Sequence, residues 1–142
     1  MKQIIIFLTI FLCTTSAFGQ SVSASKILNF LNSQNTSAIG TELKKVGFTF
    51  KGKSQFNGFT EFSYQKNGNY GLEKINIGFN DELFSVVYKT SQDAFNAYRT
   101  KLLTDDFQFA YNFKNTQYYE NGSMRIGINE TSYIISCFVK LK

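Results

Sequence analysis

The chain has 142 residues, 15 of them basic and 10 acidic, which gives a net charge of +5 near pH 7. It contains 16 Phe and 8 Tyr but no His, Pro or Trp. The basic residues are scattered and their longest run is Lys44-Lys45, whereas nucleic-acid binding needs a clustered basic stripe. We therefore expect no nucleic-acid partner.

The N-terminal segment has the parts of a secretory signal peptide in the usual order. Lys2 supplies a positive charge, an apolar run covers residues 4–13, and small residues ending at Gly19 suit cleavage. The apolar run is shorter than the roughly 20 residues that a helix needs to span a bilayer. We predict that residues 1–19 are cleaved. Residues 20–142 would then form a single secreted or periplasmic domain with no stable membrane insertion.

The two cysteines are expected to differ in role. Cys13 raises the alternative of a lipid-anchored protein, but Leu12 precedes it, where lipoproteins have a small residue. After cleavage Cys137 is the only cysteine, which excludes an intramolecular disulfide, so stability must come from the burial of apolar side chains. Cys137 alternates with Ile135 and Val139, which predicts a buried side chain in a strand and not a reactive thiol.

Three segments are predicted to be helical, and they cover residues 24–34, 37–46 and 92–104. Ile39 and Leu43 lie at i and i+4, the spacing of one helical face. Thr36 or Ser37 is expected to cap the second helix, because a side-chain oxygen there accepts an otherwise unpaired backbone N–H. Gly47 is expected to follow that helix in the left-handed conformation.

Alternating apolar residues predict eight short strands, four after the second helix and four after the third. The strands cover residues 48–51, 59–65, 74–79, 83–90, 107–113, 116–120, 124–129 and 133–141. Asn67-Gly68 and Asn121-Gly122 predict tight turns, because both residue types tolerate positive φ. In the last segment both alternating sets of side chains are apolar, which is typical of a strand that is covered on both faces or lies inside a sheet.

Two stretches of the chain are nearly the same. IGFNDELFSVVYK begins at Ile77, and IGINETSYIISCFVK begins 49 residues later at Ile126. Residues 24–90 and 91–142 are therefore candidate copies of one α-β4 unit, although antiparallel hairpins also choose similar turn residues. With or without an internal duplication, the sequence predicts an α+β fold, with a mainly antiparallel sheet of about eight short strands and two or three helices packed on one face.

This layout, with helices before short antiparallel strands, resembles that of the β-lactamase inhibitory protein and of the small lipoproteins of outer-membrane assembly. The resemblance lies in the order of elements and carries no site residue. It implies that a protein built in this way can bind a partner with a face of its sheet.

The sequence offers little catalytic chemistry. Without His, the chain lacks the usual general base near neutral pH and any Ser-His-Asp or Cys-His arrangement. With one cysteine after cleavage a zinc site is not expected, and no phosphate-binding glycine motif occurs. The adjacent acids Asp81-Glu82 and Asp105-Asp106 fall in predicted turns or at a helix end, where solvated side chains are expected. We therefore expect no metal, no cofactor and no enzymatic activity.

The stretch YNFKNTQYYENG carries the candidate binding surface, formed by Tyr111, Phe113, Tyr118 and Tyr119. Tyrosine presents a flat apolar area with a polar tip, which suits a protein interface or stacking on a sugar. Packing within the hairpin is the alternative. Alternation sends Tyr118 and Tyr119 to opposite faces, and it predicts that Phe109, Tyr111 and Phe113 share one face.

These observations predict a secreted or periplasmic, non-enzymatic binding protein for an unknown protein or envelope component. Two alternatives stay open at this point. The first is a carrier of a small apolar ligand in a cavity between the sheet and the helices. The second is a hydrolase that works without histidine, through acids, Lys, Ser or Tyr.

Overall fold

The computed structural model describes residues 22–68 and 71–141, which form three helices and one eight-stranded antiparallel sheet. The helices are α1 (Ala24–Ser33), α2 (Thr36–Lys45) and α3 (Gln92–Leu102). The strands are β1 (Thr49–Phe56), β2 (Phe59–Gly68), β3 (Gly71–Phe79), β4 (Leu83–Lys89), β5 (Gln108–Phe113), β6 (Thr116–Glu120), β7 (Met124–Asn129) and β8 (Ile134–Lys140). The predicted α+β class is confirmed, whereas the predicted signal peptide lies outside the described residues. None of these helices is long and apolar enough to cross a membrane.

Two four-stranded meanders join at the centre of the sheet. The strand order is β1-β2-β3-β4-β8-β7-β6-β5, and every neighbouring pair is antiparallel. The last strand, β8, therefore lies inside the sheet, as predicted from the apolar residues on both of its faces. The edge strands are β1 and β5. The helices pack on one face, with α1 over β4 and β8, α2 over β1, and α3 over β8.

The core lies between the helices and the face of the sheet that they cover, which we call the helix face. Ile75 pairs with Tyr88 across β3 and β4, and Val86 pairs with Cys137 across β4 and β8. All four side chains are buried, so the apolar layer continues across the junction of the two meanders. The helices contribute Ile27, Leu31, Ile39, Leu43, Phe95, Tyr98 and Leu102. Burying one such side chain contributes roughly 1.5–3 kcal/mol, so this layer is the main source of stability.

The start of α2 differs from the prediction by about one residue. Asn35 is the N-cap, and its Oδ1 accepts a hydrogen bond of 3.0 Å from the backbone N–H of Ala38. The predicted caps, Thr36 and Ser37, lie inside the helix instead, because Asn35 already satisfies the free N–H of the first turn. Gly47 has φ +91°, so its predicted left-handed conformation after the helix is confirmed.

The first predicted Asn-Gly turn is wrong, and the second is confirmed. Asn67 and Gly68 continue β2 and pair with Leu72 and Gly71 of β3, so the connection falls at residues 69–70, outside the described residues. The ladder with β3 overrides the local turn preference of the two residues. Asn121 does begin the turn between β6 and β7, and its Oδ1 accepts the N–H of the third residue along, at 3.0 Å.

The repeated glycine of the two similar stretches has the same physical role in each half. A Cβ on Gly127 would lie 2.8 Å from a ring carbon of Tyr118, and a Cβ on Gly78 would overlap the ring of Phe59. Both glycines therefore allow an aromatic ring from the neighbouring part of the sheet to lie directly on the backbone. The face involved is the one opposite the helices.

The repeated asparagine also has the same role twice. Asn80 Oδ1 accepts the N–H of Leu83 at 2.8 Å, and Asn129 Oδ1 accepts the N–H of Ser132 at 3.0 Å. Each bond satisfies a backbone donor in the turn that leads to a central strand. The glycine and the asparagine of the two stretches thus have equivalent roles in the two halves. A common origin of the halves stays a prediction.

A small ionic cluster joins α1 to α2. Glu42 accepts from Lys26 at 2.7 Å and from Lys45 at 2.9 Å. The bond from Lys26, then that from Lys45, lowers the pKa of Glu42 from 4.5 to about 2. Because the folded-state pKa lies below the unfolded value, the contribution to stability is complete above pH 4.5 and is lost as the pH falls through 2.

We expect Glu42→Gln to lower the melting temperature at neutral pH, because the two lysines lose their shared partner. The gap between wild type and variant should narrow as the pH is lowered from 4.5 towards 2, where the wild-type carboxylate is protonated. Thermal unfolding followed by circular dichroism across this range checks the effect. A gap that stays constant with pH would contradict it.

Candidate functional site

The face of the sheet opposite the helices is covered by no element of the described chain, and we call it the free face. Its central row crosses all eight strands and is set by the pairing register. In order the row reads Gly52, Ser63, Asn76, Val87, Ser136, Gly127, Tyr118 and Tyr111. Small side chains occupy most of the row, and two tyrosines end it at the β5 edge.

A β-bulge in β5 brings the aromatic residues to this face. Phe109 pairs with Tyr119, and Tyr111 pairs with Tyr118, so the register shifts by one residue at Ala110. Since Tyr118 and Tyr119 point to opposite faces, Phe109 and Tyr111 do so as well. The prediction that Phe109, Tyr111 and Phe113 share one face is therefore wrong, because a bulge adds one residue to the strand and reverses its alternation.

Three rings on the free face form what we call the aromatic cluster: Tyr111, Tyr118 and Phe138. Tyr111 and Tyr118 are stacked, with centroids 4.8 Å apart and an interplanar angle of 21°. Tyr118 and Phe138 have centroids 6.4 Å apart. Burial, and then the neighbouring Tyr111, raises the pKa of Tyr118. The cluster thus presents the neutral hydroxyl of Tyr118 beside apolar ring faces.

Arg125 completes this surface. Its guanidinium carbon lies 5.5 Å from the centroid of Tyr111, within the range of a cation–π contact. The Oε1 atom of Glu120 accepts from both Nε and Nη2 of Arg125, each at 2.5 Å. The carboxylate therefore holds the guanidinium in place beside the ring.

The four predicted site residues do not all meet. Tyr111 and Phe113 are 40% and 58% exposed on the free face, and Tyr118 lies on the same face, stacked on Tyr111. Tyr119 lies on the helix face, where it packs against the core and meets Phe109 at 5.9 Å. The structure therefore groups three of the four and separates Tyr119 from them.

Two members of the surface, Arg125 and Phe138, are not among the predicted site residues. They pair with each other across β7 and β8, and β7 and β6 separate Phe138 from Tyr111 on β5. The turn at Asn121-Gly122, which the sequence predicts, is sufficient to place Arg125 opposite Glu120. The approach of Phe138 depends on the strand order, which the sequence does not state.

A cleft of about 570 Å³ opens at one end of the free face, between the β3–β4 and β6–β7 turns. Leu83 and Phe138 supply apolar lining, and Asp81, Glu82 and Lys140 add charged groups. The cleft is continuous with the aromatic cluster through Phe138. It opens on the free face, whereas the predicted ligand cavity was placed between the sheet and the helices.

The described carboxylates do not form a metal-binding cluster. Within residues 22–68 and 71–141, no group of three His, Cys, Asp or Glu side chains could hold a metal ion. Asp106 accepts from the hydroxyl of Thr104 and from Nδ2 of Asn121, and the first of these bonds is the main reason that its pKa is lowered. Asp106 thus links the α3–β5 connection to the β6–β7 turn.

Comparison of the chain with protein-family models, with curated proteins and with solved structures finds no match. The resemblance in element order to the β-lactamase inhibitory protein and to outer-membrane assembly lipoproteins is thus not accompanied by a structural match. The surface has to be interpreted from its own contacts.

The reactivity of the Cys137 thiol tests which face of the sheet is buried. Its side chain is buried on the helix face, and burial raises the pKa of its thiol from 9.0 to about 12. We expect iodoacetamide at pH 8 to alkylate Cys137 only after denaturant is added, as measured by mass spectrometry of the peptide that contains it. Rapid alkylation of the native protein would contradict this assignment.

Gly127 tests the support of the aromatic cluster. We expect Gly127→Val to destabilise the protein by roughly 1–3 kcal/mol, because the added side chain must displace the ring of Tyr118. Gly52→Val on the same row is the matched control, since nothing lies within 4 Å of a Cβ there. Urea unfolding of both variants checks the difference. Equal stability of the two would show that Tyr118 does not lie against Gly127.

Proposed function

We propose that this protein is a secreted or periplasmic, non-enzymatic binding module that takes a protein partner on the free face of its sheet. The observation that carries the proposal is the aromatic cluster beside Arg125 on a face that no helix covers. The N-terminal sequence supports the location.

The residue types of this surface are those that dominate protein interfaces. Tyr and Arg are enriched among the residues that contribute most to binding energy. Stacking fixes the rings of Tyr111 and Tyr118, and Glu120 fixes Arg125. A partner therefore meets side chains that have already lost much of their freedom, which lowers the entropic cost of association.

The size of the free face fits a protein partner. Strands lie about 4.8 Å apart, so eight of them give a face roughly 34 Å wide. Strands of about six residues make it about 20 Å long. The resulting area of roughly 700 Å² is close to the 800 Å² or so that each partner contributes to a standard protein interface. The small residues of the central row away from the Tyr118 ring, such as Gly52, Ser63 and Ser136, let a partner's backbone approach closely.

The two alternatives from the sequence have weaker support. A small-ligand carrier would use the cleft of about 570 Å³, but that cleft is open and has charged residues along its lining. A hydrolase without histidine would need acids that converge with a nucleophile. Asp81 and Glu82 lie in an exposed turn, and Glu120 is paired with Arg125.

Tyr118 and Tyr119 form a matched pair for testing the proposal, because they are adjacent in β6 and point to opposite faces. Against a partner isolated from envelope or culture-medium extract of the native host, we expect Tyr118→Ala to weaken binding about 30-fold, as for an aromatic residue that contributes strongly to an interface. Arg125→Ala should also weaken it, whereas Tyr119→Ala should have little effect. Affinities can be measured by surface plasmon resonance.

Circular dichroism spectra and melting temperatures serve as the folding control for these variants. Equal loss of binding in Tyr118→Ala and Tyr119→Ala, with both variants folded, would contradict the assignment of the interface to the free face. Failure to isolate any partner from either extract would count against the proposed function itself.

A further inference from the structure

Two lysines lie directly opposite each other on the free face. Lys74 of β3 pairs with Lys89 of β4, next to the buried pair Ile75 and Tyr88. Because side chains alternate along a strand, the lysines project from the opposite face to that buried pair. Both are exposed. Like charges in this cross-strand position repel and destabilise a sheet.

No residue of the described chain neutralises this pair. Neither the Lys74 nor the Lys89 ammonium group has an ion pair or a side-chain hydrogen bond within residues 22–68 and 71–141. Their cross-strand neighbours, Gln65 and Ile134, are uncharged. Glu73, which precedes Lys74 in sequence, lies on the helix face, where its carboxylate accepts a hydrogen bond from the hydroxyl of Tyr88. All ten Asp and Glu residues of the sequence lie in the described part.

We propose that the partner on the free face is a polypeptide segment that places an Asp or Glu side chain between Lys74 and Lys89. This inference rests on the proposed function and adds the chemistry of the partner. A carboxylate at this position would remove the repulsion between the lysines and gain two attractive contacts. Charge complementarity of this kind selects a partner and speeds its association.

The distribution of charge over the free face favours a polypeptide over an anionic membrane. The lysine pair lies towards one end of the face. The cleft towards the other end has three acids, Asp81, Glu82 and Glu120, beside two bases, Arg125 and Lys140. A uniformly anionic surface would complement the first end but would leave the acids of the second end without a partner of opposite charge. A folded or extended segment can carry both signs of charge at the required positions.

The position of the aromatic cluster sets the spacing in such a segment. Lys89 is on β4 and Tyr118 is on β6, with β8 and β7 between them. From midway between the two lysines, three and a half strand spacings amount to roughly 17 Å, and Tyr118 lies two residues, or about 7 Å, further along the strands. The resulting separation is roughly 18 Å, which five or six residues of extended chain span. A segment crossing the face should therefore carry its acidic residue about five or six positions from the apolar residue that meets Tyr118.

A displayed library of random twelve-residue peptides is the probe for this inference. Peptides selected on the wild-type protein should carry an Asp or Glu about five or six residues from an aromatic or aliphatic side chain. Synthetic versions should bind at least tenfold more weakly to Lys74→Gln and to Lys89→Gln in isothermal titration calorimetry. Lys101→Gln is the control, because it removes the same charge from α3 in the helix layer.

Lys89→Glu separates binding from folding. It places opposite charges across β3 and β4, so its melting temperature should rise above that of wild type while binding of the selected peptides is lost. A melting temperature below that of wild type would show that the lysines do not repel each other, and would overturn the inference. Lys89→Gln gives the same binding test without a new charge.

The outcomes distinguish the two proposals. Peptides that need Tyr118 but tolerate both lysine-to-glutamine changes would overturn the acidic partner and leave the binding face intact. Peptides indifferent to Tyr118→Ala and Arg125→Ala would contradict the proposed function. Binding to vesicles of phosphatidylcholine with phosphatidylglycerol that depends on Lys74 and Lys89, without any acidic peptide being selected, would overturn the polypeptide as occupant. Selection of no peptide at all would overturn the inference too.

Discussion

The pairing of β4 with β8 is the interaction on which the rest of the structure depends. Its register sets Val86 against Cys137 and Tyr88 against Ile135, and all four side chains are buried. A slip of one residue would turn the aliphatic side chains of β8 to the opposite face, because the side-chain period of a strand is two. The junction thus makes two meanders into one sheet with a single apolar face, on which all three helices pack.

The free face is a consequence of that constraint. With α1, α2 and α3 on the helix face, the other face has only its own side chains to cover the backbone. Gly127 leaves room for a ring from the neighbouring strand, and the bulge at Ala110 turns Tyr111 towards that ring. The same backbone devices that shape the sheet therefore assemble an exposed aromatic surface, with Arg125 held beside it.

Local periodicity was sufficient to predict the fold class, the three helices and the eight strands, because each element carries its own apolar pattern. The misplaced features depend on partners distant in sequence. The ladder with β3 extends β2 through Gly68, and only the pairing with β6 reveals the bulge in β5. Of the candidate surface, Tyr111, Phe113 and Tyr118 were found from composition. Phe138 could not be found in this way, because its contact with Tyr118 needs the strand order.

Hydroxyl-radical footprinting with mass spectrometry tests most directly whether one face of the sheet is exposed to solvent. Phe113 and Tyr111 are exposed on the free face, whereas Phe84 and Tyr98 are buried under the helices. The account predicts rapid oxidation of the first pair and protection of the second in the native protein, with all four oxidised at similar rates after unfolding. Protection of Tyr111 and Phe113 in the native monomer, or rapid oxidation of Phe84 and Tyr98, would contradict it.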